Sequence, residues 1–111
     1  MKEKVHISVT PTRMSKLVTV YTEDGMVSVS MALSEVSRNK LIAAIIRSKY
    51  SVDDMEAVVN NFVSDPESDK ATKDFKDMNE WRKLAKRVAT SAIEVMRESG
   101  LIEFEDGGGD A

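Results

Sequence analysis

Asp24-Gly25 lies between two runs of strand-forming residues, Leu17 to Thr22 and Met26 to Leu33. Asp-Gly is a favoured centre for a two-residue type I′ turn, because both positions take positive φ. A turn centred there pairs Glu23 with Met26, Thr22 with Val27, Val20 with Val29 and Val18 with Met31. The last three pairs share one face and are nearly all apolar, whereas Tyr21 with Ser28 and Thr19 with Ser30 make the other face more polar. A slip of one residue would scramble both faces, so the turn and the pattern demand the same register. An isolated hairpin is marginal in water, and the rest of the chain must therefore supply a third strand and a cover.

Val5, Ile7 and Val9 alternate with His6, Ser8 and Thr10, the period-two pattern of a half-buried strand, and Pro11 ends it. This strand supplies the third member of the sheet. The cover comes from the stretch Asn39 to Phe62, which holds the densest apolar pattern in the chain. Leu41, Ile42, Ile45, Ile46 and Tyr50 form a stripe at helical spacing, with Ser34 or Ser37 placed to cap the helix start. After a break at Tyr50–Ser51, the Ser51 hydroxyl is positioned to accept from the N–H of Asp54, and Asp53 and Asp54 suit a helix N-terminus. Met55, Val58, Val59 and Phe62 then mark a second amphipathic helix.

Asp65-Pro66 predicts a further start, with Asp as cap and Pro at the first helical position. From Glu67 to Ser99 there is no Gly or Pro, so a single helix of roughly 30 residues is allowed. Its opening turns, to about Phe75, are polar. Ala71, Met78, Ala85 and Ala92 recur every seven residues, Asp74, Trp81, Val88 and Val95 follow three later, and Phe75, Ala89 and Met96 widen the stripe. Gly100 is a natural C′ residue with Leu101 as its hydrophobic contact. Leu101-Ile102-Glu103-Phe104 reads as a short strand available to a sheet edge. The predicted architecture is a single α+β domain over 1–105. It comprises a three-stranded antiparallel sheet, formed by the N-terminal strand and the Asp-Gly hairpin, packed by two short helices and one long C-terminal helix. Residues 106–111 read as a flexible acidic, Gly-rich tail.

Composition excludes several classes. With no Cys there is no disulfide scaffold, thiolate zinc site or cysteine nucleophile, which fits a reducing compartment. The N-terminus shows no signal-peptide pattern, and the longest apolar block, Leu41 to Ile46, is far short of a membrane span. The expected location is the cytoplasm, or a virion if the chain is phage-encoded. A net charge of −3 argues mildly against a nucleic-acid binder, which usually carries a basic footprint.

Few residues offer chemistry. His6 reads as a solvated strand residue with no catalytic partner near it in sequence. Asp53, Asp54 and Glu56 lack the spacing of an EF-hand loop and are explained by the helix start they occupy. The same acids would repel phosphates if the helix–break–helix were a DNA-reading pair. No phosphate loop, Ser/His/Asp set or carboxylate pair is visible, so neither catalysis, a metal nor a cofactor is expected. Arg82, Lys83, Lys86 and Arg87 make the strongest basic patch, a possible contact for a nucleic-acid backbone. Asp74, Asp77 and Glu80 are interleaved at spacings that would neutralise it. The candidate interface comprises Trp81 with Met78 and Val88 on the seam, Leu101, Ile102 and Phe104 beyond it, and the sheet edge.

Ile46-Arg47-Ser48-Lys49-Tyr50-Ser51-Val52-Asp53-Asp54-Met55-Glu56-Ala57 resembles a recurrent segment of small uncharacterised proteins encoded near tail and baseplate genes of tailed phages and prophages. Pro66-Glu67, Phe75, Trp81 and Lys83 to Lys86 are similar to a second region of that group. Asn60-Asn61-Phe62 departs from its usual Arg and Gln, and the N-terminal hairpin and long helix have no counterpart. The group brings no catalytic residues. The resemblance implies a phage or mobile-element origin and a structural or assembly role. The function expected is therefore a non-enzymatic protein–protein interaction component with protein partners, self-association included. A small regulator touching nucleic acid through the basic patch is the alternative.

Overall fold

The computed structural model describes residues 4–102. Three antiparallel strands, β1 (Val5–Pro11), β2 (Lys16–Thr22) and β3 (Ser28–Ala32), form a sheet in the order β1-β2-β3. Val20 faces Val29, Val18 faces Met31 and Thr19 faces Ser30, so the hairpin has the register its alternation demands. On the other side of β2, Ile7 faces Val20 and Val5 faces Thr22. One face of the sheet is thus apolar, with Val18, Val20 and Val27 fully buried. On the other face the hydroxyls of Thr19 and Ser30 meet at 2.7 Å.

The turn itself is wider than a two-residue one. Gly25 N–H donates to Thr22 C=O at 3.0 Å, so Glu23 and Asp24 occupy the centre and Gly25, at φ +79°, follows it. The Asp24 carboxylate explains the shift: it accepts from Met26 N–H at 3.0 Å and from the Thr22 hydroxyl at 2.7 Å. The same hydroxyl accepts from Val27 N–H at 3.1 Å. Thr22 N–H donates to Val27 C=O at 3.0 Å, which keeps the two residues opposite each other.

After a short 3-10 turn at Leu33–Glu35, three helices follow: α1 (Arg38–Arg47), α2 (Val52–Ser64) and α3 (Asp69–Glu98). Ser37 caps α1, its side chain accepting from Lys40 N–H. Ser51 and Asp54 cap α2 reciprocally, at 3.0 and 3.1 Å, with Asp in the place usually taken by Glu. The start of α3 differs from the expected one. Ser68 N–H donates to Asp65 C=O at 3.0 Å across Pro66, so Asp65 closes α2 and Ser68 caps α3 through Ala71 N–H. At the other end Gly100, at φ +79°, donates to Arg97 C=O and Leu101 N–H reaches Met96 C=O at 2.9 Å, the paired bonds of a Schellman ending.

The core gathers Val18, Val20 and Val27 of the sheet region, Leu41 and Ile45 of α1, and Trp81 to Met96 of α3. α3 packs on β1 and α1 packs on β3, side by side across the apolar face. Buried Ala71 and Met78 lie outside this cluster, in the half of α3 that packs with α2. Their cover includes stacked rings of Phe62 and Phe75, with centroids 4.4 Å apart and planes 2° from parallel. At 1.5 Å per residue α3 is about 45 Å long, close to the longest extent of the molecule, 49 Å. The expected tail at 106–111 falls outside the described residues.

Candidate docking surface on the α2–α3 hairpin

Trp81, Met78 and Val88 sit inside the molecule, at 5%, 1% and 0% exposure. Trp81 is pinned to α1: its indole N–H donates to Ile45 C=O at 3.1 Å, and Lys49 Nζ stands 4.8 Å from the ring centre. Apart from half-buried Asp74 and exposed Val95, the seven-residue repeat records burial against α1, α2 and the sheet. Leu101 and Ile102 are half-buried against the core and bend back, both N–H groups directed at Met96 C=O, so they add no strand to the sheet. Phe104 falls outside the described residues.

Large apolar side chains are exposed in the sheet region at Val9, Met14, Tyr21 and Met26, on α3 at Val95, and on α2, which has no fully buried residue. Met55, Val58 and Phe62 are half-buried toward α3. Val52, Val59 and Val63 are turned outward, at 53%, 37% and 70% exposure. Their spacing, i, i+7 and i+11, is a second stripe on the same helix. In the sequence it is masked by the overlapping stripe of Met55, Val58, Val59 and Phe62, and Val59 belongs to the outer one. Beside it runs a cleft of about 280 Å³ lined by Val52, Met55, Glu56, Val59, Asn60, Met78 and Arg82.

Arg82, Lys83, Lys86 and Arg87 are all exposed. Two of the three acids expected to neutralise them pair with other lysines: Asp74 with Lys70 at 2.9 Å and Asp77 with Lys73 at 2.8 Å. The Lys73 ammonium holds the Asp77 carboxyl below the usual carboxylate range, and Lys73 is raised in return. Arg38 of α1 joins the basic face, its Nε donating to Thr90 Oγ1 at 2.8 Å one turn beyond Lys86 and Arg87. This residue was not legible as a member, because it lies far away in sequence.

Neighbouring groups serve the fold. The Tyr50 hydroxyl is pushed up by burial, with Asp77 and Asp74 adding to the effect. His6 stacks on Tyr21 on the outer face of the sheet, with Nε2 3.8 Å from Glu23 Oε1. Asp54 is committed to the α2 cap. Among the described residues no three His, Asp or Glu side chains gather at metal-binding distance, and no helix is long and apolar enough to cross a membrane. Set against known proteins, the chain matches no family model, no curated protein and no solved structure.

Proposed function

We propose that this protein is a non-enzymatic interaction component of a larger assembly and that the α2–α3 hairpin is the part it presents. The observation that carries this reading is the outward stripe of Val52, Val59 and Val63 beside an apolar cleft floored by Met78. Three outward valines at one helical spacing, beside a cleft and on a helix that buries nothing completely, fit a surface that takes a partner. The resemblance of residues 46–57 to proteins encoded beside phage tail genes points the same way, since that segment opens α2. A photo-reactive amino acid placed at Val63, and in a control at Ser30 on the outer sheet face, tests it in cells. Discrete protein adducts from position 63 alone are expected. Adducts from position 30 alone, or from neither position, reject the hairpin as the docking surface.

A second reading rests on Arg38, which extends the basic face formed by Arg82, Lys83, Lys86 and Arg87. A surface of this kind fits a phosphate backbone. Fluorescence anisotropy with a labelled duplex decides it: binding that weakens about tenfold or more between 50 and 200 mM salt supports the regulator reading. Absence of binding at low salt removes it.

A further inference from the structure

The cleft beside the valine stripe has walls of opposite charge. Glu56 rises from α2 and Arg82 from α3, both exposed, with Val52, Met55, Val59 and Met78 between them. Among the described residues neither forms an ion pair, and the pairs on this half of α3 run along the helix, from Lys70 to Asp74 and from Lys73 to Asp77. The polarity extends one turn further toward the open end of the hairpin, where Asp53 precedes Glu56 and Lys86 follows Arg82. An apolar strip with an acid on one side and a base on the other is complementary to itself after a half-turn. That is the condition for a two-fold interface, in which one patch meets its own copy. A wholly acidic partner would bring like charge to Glu56, and a wholly basic one would do so at Arg82. A second copy satisfies both walls at once.

We propose that a second copy of this chain docks here in a two-fold dimer whose axis runs along the cleft, so that α2 of each subunit lies over α3 of the other. Glu56 of each subunit then faces the partner subunit's Arg82. The proposal rests on the hairpin being a docking surface and adds the identity of the occupant.

Sedimentation across a wide concentration range, on the full chain, tests it. The unaltered protein dimerises. Glu56→Arg and Arg82→Glu, each alone, raise the dimer Kd by about tenfold or more, because two ion pairs per dimer become repulsive. An equimolar mixture of the two variants recovers the original Kd, since the heterodimer restores both pairs, one with its sign inverted and the other in the native sense. Both residues are exposed, and far-ultraviolet circular dichroism checks that each variant stays folded. A monomer at every concentration, single reversals without effect, or a mixture that stays monomeric overturns the dimer. If the chain is monomeric and position 63 still forms adducts with another protein, the docking surface stands and the second copy alone is rejected. If there is no adduct of either kind, both fall.

Discussion

From Trp81 to Met96, α3 lies in the core against the sheet and α1. From Asp69 to Glu80, its packing partner is α2. The helix and its repeat are the same throughout, and the surroundings are not. Ala85, Val88, Ala89 and Ala92 have 0% exposure in the first region, whereas the hairpin region rests on Ala71, Met78 and a pair of half-buried phenylalanines. The comparison teaches that one regular pattern can serve two ends: the first region carries the stability of the fold, and the second is held to it by a thinner apolar layer that leaves α2 half open.

Four measurements break or sharpen that contrast. The largest effect belongs to the first region. Trp81→Ala removes a buried ring and orphans its hydrogen bond to Ile45, and a loss of about 3–5 kcal/mol in urea unfolding is expected. Unfolding should be global, since the ring joins α1 to α3. A loss below about 1 kcal/mol with dimer dissociation would return Trp81 to the role of interface anchor. In the second region Phe62→Ala should cost about 1–2 kcal/mol, read as faster hydrogen exchange in α2 while amides of Val20 and Leu41 stay protected. Equal acceleration in the sheet would make the molecule one cooperative unit.

Smaller again, Ser51→Ala removes one partner of the reciprocal cap and should cost about 1 kcal/mol, confined to the first turn of α2 by amide exchange. The smallest effect concerns the sheet, as a control on the body. Met26 N–H, and after it the Thr22 hydroxyl, hold the Asp24 carboxyl below its ordinary range. A depressed folded-state pKa contributes stability that is present above the unfolded value, near 4, and lost as pH falls through the folded one. Asp77, lowered by Lys73, and Glu35, lowered by Lys40, act with the same sign. Asp24→Asn keeps the acceptor oxygen and removes the titration, so its loss of Tm from about pH 6 to about pH 3 should be shallower. A parallel loss would assign acid sensitivity to the other carboxylates.

Local chemistry was legible where a motif is short and its partners are near in sequence. The register of β2 and β3, the Ser51–Asp54 cap and the Gly100 ending all involve residues a few positions apart or an alternation of period two, whereas the α1 cap was narrowed only to Ser34 or Ser37, of which the structure uses Ser37. The start of α3 was not, because Asp65 and Ser68 are both good caps and only the turn across Pro66 chooses between them. The Asp24 turn was displaced because a side chain, acting on Met26 and Thr22, overrode the preference of the Asp-Gly pair. At the candidate site the gap is of another kind. A stripe such as Met78, Trp81 and Val88 announces that something covers it, and whether α1 or another chain does so is decided by long-range packing. The exposed stripe on α2 was hidden for the converse reason: two apolar stripes overlap on one helix, and only packing against α3 tells Val58 from Val59.

The uninterrupted α3 has a mechanical consequence. With no Gly or Pro between Asp69 and Glu98 the helix has no built-in hinge. Asp69 stands about 18 Å from Trp81 along the axis, so a tilt of 5° at Trp81 carries it through roughly 1.5 Å. The hairpin is the long arm of a lever whose fulcrum is the close-packed bed of Ala85, Val88 and Ala92. Interiors packed to this density have little slack. A load applied at α2 is therefore borne by the sheet.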